Sequence, residues 1–564
     1  MENTTGGTVA VRGNGSDRLF ADRFEDNSGE SEAFAIGVLE RLTYGARPHD
    51  IEQFLSLGND AISRLSEWIE RQLDPQALDE GDLEQRLAAV GFETLDKSIV
   101  ELWADHVTGS MASWPERYLP VSETESARLI RAVYARRQLN EMMVEFWHDH
   151  FNVAGWQFAI APVFVQHDRD AIRANSLGSF REMLGAVARS TAMLYYLDNR
   201  ANRSGGYNEN WAREMFELHT LGVDAYFPGA THGQVPPGDD GLAAGYSDAD
   251  VYDAARCFTG WTVRNGHWQF PPDPEFNTGE FFYYPDWHEG GSKFVLGQWI
   301  AHTGQSEAEL VMDLACRHRK TAHHLAFKLC RRFVSDQPPA SLVESAADVW
   351  QAHWEDDDQI ARVLRHILTS EEFRSSAGEK MRRPFELMIA ALRKTGAEIA
   401  PKDHFSGWQP WGELLTRFQQ TGHGSFRWPA PDGYPDTADR WSSVSVLGQI
   451  WRLLSRLPEL HSDGDPLMRV HELTVEHLSV AERTAENLVD FWVQRLIGRP
   501  IGQARRTELI DFLRQNAPAD DVLDLQSGLP DGQWSANNLS AHYTPARLRA
   551  AVALICTCPE FHRR

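Results

Sequence analysis

Apolar residues recur every third or fourth position through most of this chain, and that rhythm has one long break. It runs through FAIGVLERLTYG, IEQFLSLG and ISRLSEWIERQLDP between Glu32 and Leu73, then 80–102, 122–152, 170–198 and 206–222. It returns over 306–396 and again after residue 441. A period near 3.6 residues is the mark of amphipathic helices that bury one face against neighbours. Gly45 and Pro75 stand as stop signals between the first helices. Between about Val223 and Gly297 the period gives way to short aromatic runs, WTVRNGHWQF, GEFFYYPDW and KFVLGQWI, divided by Pro, Gly and Asn. Such runs read as hairpin arms or a flap, with one helical stretch at DADVYDAARCFTGW. The pattern predicts a mainly α protein: a large helical domain with an irregular β-containing insertion at about 224–300. Residues 1–30 are Gly-, Asn-, Ser- and Asp-rich without period and read as a flexible leader. With 564 residues three or four domains would fit by size, but no repeat or linker divides 31–564, which reads as one domain.

Several function classes are excluded early. There are 55 basic against 81 acidic residues, and a net charge of −26 repels phosphate backbones and anionic lipid, so no nucleic-acid partner is expected. No apolar run reaches the roughly 18–20 residues of a membrane span. The first twenty residues lack the apolar core of an export signal, so a cytoplasmic location is expected. Five cysteines, Cys257, Cys316, Cys330, Cys556 and Cys558, form no disulfide framework and read as reduced thiols. GxSxG, GxxxxGK[ST] and HExxH are all absent; in HELTVEH (471–477) the two histidines are six apart and face opposite sides of a helix. The nineteen tryptophans read mainly as buried anchors. The loop TGHGSFRWPAPDGYPDTADRW (421–441) combines aromatics and acids in a way that suits sugar binding, but a seal over the helical core is the commoner use. His318, His323 and His324 lie in RHRKTAHHLAFK, read as a solvated basic face rather than an anion site.

Two segments carry ligand-type residues at helical spacing, LNEMMVEFWHDHFNV (139–153) and NENWAREMFELHTLGV (208–223). Turned by about 100° per residue, Glu141, Glu145, His148 and Asn152 form one stripe, and Asn210, Glu214 and Glu217 another, with His150 and His219 on the apolar sides. Glu145 and His148 are the i, i+3 pair by which bundles present carboxylate and imidazole to a metal. If the helices pack together, His148, His150, Glu214 and His219 are candidate ligands for Zn²⁺, Mn²⁺ or Fe²⁺. Glu145 or Glu217 would then be the base on a bound water, with Asn208 and Asn210 orienting substrate. That scheme describes a metal-dependent enzyme of the hydrolase class. The same residues also suit a noncatalytic binding or assembly protein, in which they form a buried hydrogen-bond network.

The same stretches resemble, in order, the signatures of the large bacterial domain-of-unknown-function 1800 family. They are FWHDHFNV (146–153), NENWAREMFELHTLGV (208–223), YSDADVYDAARCFTGW (246–261), HHLAFKLCRRFVSDQPP (323–339), MRRPFELMIAALR (381–393), WPAPDGYPDTADRW (428–441) and CPEFHRR (558–564). The resemblance spans about 33–564 and implies a helical fold, though no activity. It also implies a partner, since family genes often neighbour those of the domain-of-unknown-function 1501 family, whose fold is similar to sulfatases and alkaline phosphatases. Many members carry export signals, so an exported location is the alternative. A further family pattern resembling HDxGxKxxLG falls on His288, Glu289, Gly291, Lys293 and Gly297, with Glu in place of the usual Asp. It suggests a flap that brings His288 or Lys293 over the helical cleft as acid, base or anion anchor. The plainer reading is a hairpin turn built on Gly290–Gly291.

Overall fold

The computed structural model describes residues 32–564 except 48, 75, 110–112, 239, 400–409, 463–464, 516 and 526–538. The leader expected at 1–30 lies outside the described residues. The fold is mainly helical, with small two-stranded sheets around 261–300.

The helices that matter for the site are α1 (Glu32–Leu42), α2 (Trp114–Tyr134), α3 (Gln138–His150), α4 (Asn210–Glu214), α5 (Asp248–Cys257), α6 (Ser306–Arg317), α7 (Arg319–Phe333) and α8 (Pro384–Lys394). A capping box at Ser113 and Glu116 starts α2, and Pro115 sits in its first turn, where a missing N–H costs nothing. All eleven residues of α8 are buried, and so are eleven of the thirteen in α3. Helices enclosed on every side have no solvated face. The polar stripe of α3 therefore points into protein, and each of its charges requires an internal partner. The apolar core includes residues from Ala35 to Phe561.

The insertion behaves as its composition implies. Ser247 and Asp250 form a capping box that starts α5. Strand β1 (Trp261–Asn265) pairs antiparallel with β2 (Asn277–Tyr283), and β3 (Lys293–Val295) with β4 (Gln298–Ile300). The second hairpin turns at Leu296 and Gly297, both with positive φ, as a tight two-residue turn requires. The Gly290–Gly291 pair lies ahead of β3 and is not that turn.

The 421–441 loop seals the body. Trp441 is buried, the Tyr434 hydroxyl donates to Gly424 O at 2.7 Å, and Asn152 Nδ2 donates to Trp428 O and Ala430 O. All five cysteines are free and buried. Among the described residues no helix is long and apolar enough to cross a membrane.

Candidate functional site

The two ligand-bearing segments do lie against each other, but their polar groups are used in a different way from the scheme above. Glu145, a predicted base, sits in a cage. Its Oε1 is 3.1 Å from Arg128 Nη2 and 3.0 Å from Arg383 Nη2, while its Oε2 meets Arg332 Nη2 at 3.1 Å and accepts from the Tyr44 hydroxyl at 2.7 Å. A carboxylate that accepts three hydrogen bonds and faces a third guanidinium is committed to protein and poorly placed to take a substrate proton. Glu141 pairs with Arg173 Nη1 at 2.7 Å. His148 turns away from His150 and pairs through Nε2 with Asp168 Oδ1 at 2.8 Å. Burial alone would raise the Asp168 carboxyl, but Arg173 and the hydrogen bond with His148 outweigh it and hold it far below the usual range.

His150 and His219 meet across the interface. His150 Nε2 is 3.0 Å from His219 O, and His219 Nδ1 is 2.9 Å from His150 O, so each ring donates to the other's main chain. Burial drives both rings to low pKa, His219 down to about 3, so both are neutral. His150 Nδ1 in turn accepts from Lys328 Nζ at 2.9 Å. Both nitrogens of His150 are thereby occupied by protein.

Beyond Glu214 the helix widens into a π turn over Met215–His219, with Gly222 N–H donating to Phe216 O at 3.0 Å. That widening invalidates a 100° projection from Glu214 to His219. Glu214 and Glu217 are half-buried; burial and then the Glu217 charge raise the Glu214 carboxyl. Asn208 is structural at the start of α4: its Oδ1 accepts from Asn210 N–H at 3.0 Å. Asn210 is exposed in the first turn. His148, His150, Glu214 and His219 thus do not converge.

Among the described residues, three His, Cys, Asp or Glu side chains do bring ligand atoms within 4.8 Å of one another: His288, His302 and Glu307. Glu307 is fully buried in the first turn of α6, where the helix dipole favours an anion. Its Oε1 receives the Thr303 and Gly304 N–H groups at 2.9 and 3.1 Å and lies 2.9 Å from His302 Nδ1. Its Oε2 receives Lys293 Nζ at 2.5 Å, and that ammonium also donates to Glu289 O at 2.6 Å. Burial would raise the Glu307 carboxyl, yet Lys293, then His288 and the Thr303 amide, hold it below its ordinary value.

His288 is the informative member. Its Nδ1 lies 2.8 Å from Thr259 O, which places the proton of a neutral ring on Nδ1 and leaves Nε2 as a bare lone pair. Nε2 is buried, makes no hydrogen bond, and stands 3.2 Å from Glu307 Oε1. Two lone pairs facing each other at that distance require a cation or a second proton between them. The His302 side chain is 52% exposed and stacks on His288 at 5.6 Å, so the grouping opens to solvent on one side. His288 and Lys293 were readable from the pattern around 288–297. His302 and Glu307 were not, because the pairing is made by a hairpin returning to a helix start.

A separate cavity of about 560 Å³ opens between the end of α3, helix α7 and the 432–436 loop. His324 and Lys328 line it, so this part of the basic stretch faces inward rather than solvent. His318 is also buried, its Nε2 2.8 Å from Ala243 O. Helical spacing held the signal: His324 and Lys328 are i and i+4, on one edge of α7.

The model of a family described only as a protein of unknown function, DUF1800, matches residues 37–563, and the chain belongs to that family. No curated protein and no solved structure matches.

Proposed function

We propose that this DUF1800-family chain is a metal-dependent hydrolase whose divalent transition-metal ion is held by His288 Nε2, His302 and Glu307 Oε1. The observation that carries the reading is the buried Nε2 of His288, which makes no hydrogen bond and stands 3.2 Å from the Glu307 Oε1 carboxylate oxygen. Two imidazoles and one carboxylate suit Zn²⁺, Mn²⁺ or Fe²⁺, and three protein ligands with one solvent-facing side are the usual arrangement of a catalytic rather than a structural centre. Such an ion supplies Lewis acidity and lowers the pKa of a bound water. The chain's own part is orientation. Thr259 O sets the His288 tautomer, and Lys293 occupies Oε2 so that Oε1 faces both rings.

Elemental analysis of untagged protein tests this directly. About one transition-metal ion per chain is expected, falling to background in His288→Ala and His302→Ala. Hydrolysis of p-nitrophenyl acetate or phosphate should disappear on chelation and return with metal. Metal-free protein that binds none of the three ions on titration would end the proposal.

A second reading rests on the crowding of Glu307, which already receives Lys293 and two amides. In that reading the cluster is a staple holding the flap on α6, His288 carries the extra proton, and the protein is a noncatalytic assembly or accessory factor.

A further inference from the structure

The cavity beside α7 holds an amine in an unusual setting. Lys328 faces the cavity from α7, and its Nζ donates to His150 Nδ1 at 2.9 Å. Among the described residues it forms no ion pair with a carboxylate. The nearby acids are committed elsewhere: Asp149 to Arg383, Asp436 to Lys380 at 3.1 Å, and Asp432 to Trp428 Nε1 at 2.7 Å. A buried ammonium whose one hydrogen bond goes to a neutral ring, with the nearby carboxylates acting only from beyond ion-pair distance, gains little from staying charged. The acceptor cannot turn away, because His150 Nε2 is tied to His219 O.

We infer that Lys328 is a reactive amine that condenses with a small aldehyde or ketone admitted to this cavity, with His150 as its proton acceptor. The volume of about 560 Å³ falls within the range of small-molecule sites. Phe146, Leu221 and Phe327 supply apolar wall, while Arg331 adds positive charge on the α7 side. That mixture suits a carbonyl compound bearing an acidic group, an oxo acid. Burial, the dominant influence, with Arg331 adding to it, brings the Lys328 pKa down to about 8 against the pull of Asp149, Asp436 and Asp432. A sizeable fraction of the amine is therefore neutral near neutral pH.

The chemistry balances without an oxidant or reductant. The Nζ lone pair attacks the carbonyl carbon, a C–N bond forms, and the carbonyl oxygen becomes a hydroxyl. Nitrogen gives up two protons in all: the first passes through His150 Nδ1 to the carbonyl oxygen and makes the hydroxyl, and the second follows the same route to that hydroxyl, which leaves as water. The product is an imine on Lys328 and one molecule of water.

The test is reductive trapping on the full-length untagged chain, with glyoxylate as probe and cyanoborohydride as reductant, followed by peptide mass spectrometry. Lys320, exposed on the same helix, is the internal reference. At pH 7 Lys328 should be alkylated roughly tenfold or more faster than Lys320, with a half-maximal rate near pH 8. His150→Asn should slow Lys328 without changing Lys320. If that variant fails to fold, the wild-type ratio still decides the matter. Lys328 unmodified, or modified no faster than Lys320, overturns the inference. This result is independent of the metal proposal, since neither His288 nor Glu307 borders the cavity.

Discussion

His150 and His219 each give a ring N–H to the other's main-chain carbonyl, at 3.0 and 2.9 Å, and this exchange joins the end of α3 to the π turn after α4. It is a structural bond made of residues that look like metal ligands. Its consequence is that α3 and the 215–222 segment cannot separate without leaving two buried carbonyls unpaired.

His219→Leu should therefore destabilise the protein by about 2–4 kcal/mol, combining a lost hydrogen bond, an orphaned His150 carbonyl and imperfect packing. Urea unfolding followed by tryptophan fluorescence measures it. A loss under about 0.5 kcal/mol would mean that the exchange is incidental.

Glu145→Ala removes the shared acceptor of Arg128, Arg332, Arg383 and Tyr44. A loss of about 3–5 kcal/mol is expected, because three buried or nearly buried cations lose a shared counter-charge at once, although Arg332 and Arg383 keep Glu386 and Asp149. Half-buried Glu217→Ala should change stability by about 0.5 kcal/mol or less. Comparable effects at the two positions would contradict the cage.

Glu125 carries a pH signature. It is buried, its Oε1 has no hydrogen-bond partner, and Arg427 stands 4.0 Å from Oε2. Burial outweighs Arg427 and Arg128 and pushes its carboxyl up to about 7. A carboxyl with a raised folded pKa stabilises fully below its unfolded value near ~4.3 and loses that contribution as pH rises through about 7. Between pH 5 and 8 the wild type should thus lose roughly 1–3 kcal/mol that Glu125→Gln does not lose. Parallel pH profiles of the two proteins, from thermal or urea unfolding, would refute the assignment.

Gly433 has φ near +72°, and a Cβ there would fall on the Asp149 carbonyl. Gly433→Ala should cost about 2–4 kcal/mol and displace the loop that walls the Lys328 cavity. Faster hydrogen exchange over 428–441 than elsewhere in the variant would localise the damage. A variant as stable as wild type would show that the loop does not press its Gly433 backbone against the Asp149 carbonyl.

Periodicity alone did not set the helix ends, but it was enough to show a mainly helical chain and to mark 224–300 as the place where strands enter, because both follow from short-range spacing of apolar, aromatic, Pro and Gly residues. It also identified Glu145, His148, His150 and His219 as polar groups that packing would have to accommodate. It could not say whether Glu145 faces water or three arginines, since Arg128, Arg332 and Arg383 arrive from 17 to 238 positions away and carry no local spacing signal. The same limit hid His302 and Glu307, which join His288 only because the β3–β4 hairpin returns to the start of α6. Local interactions choose the elements; which imidazole meets a carboxylate, a carbonyl or an amine is settled by how those elements stack, and in a buried interior every polar atom takes whichever partner that stacking supplies.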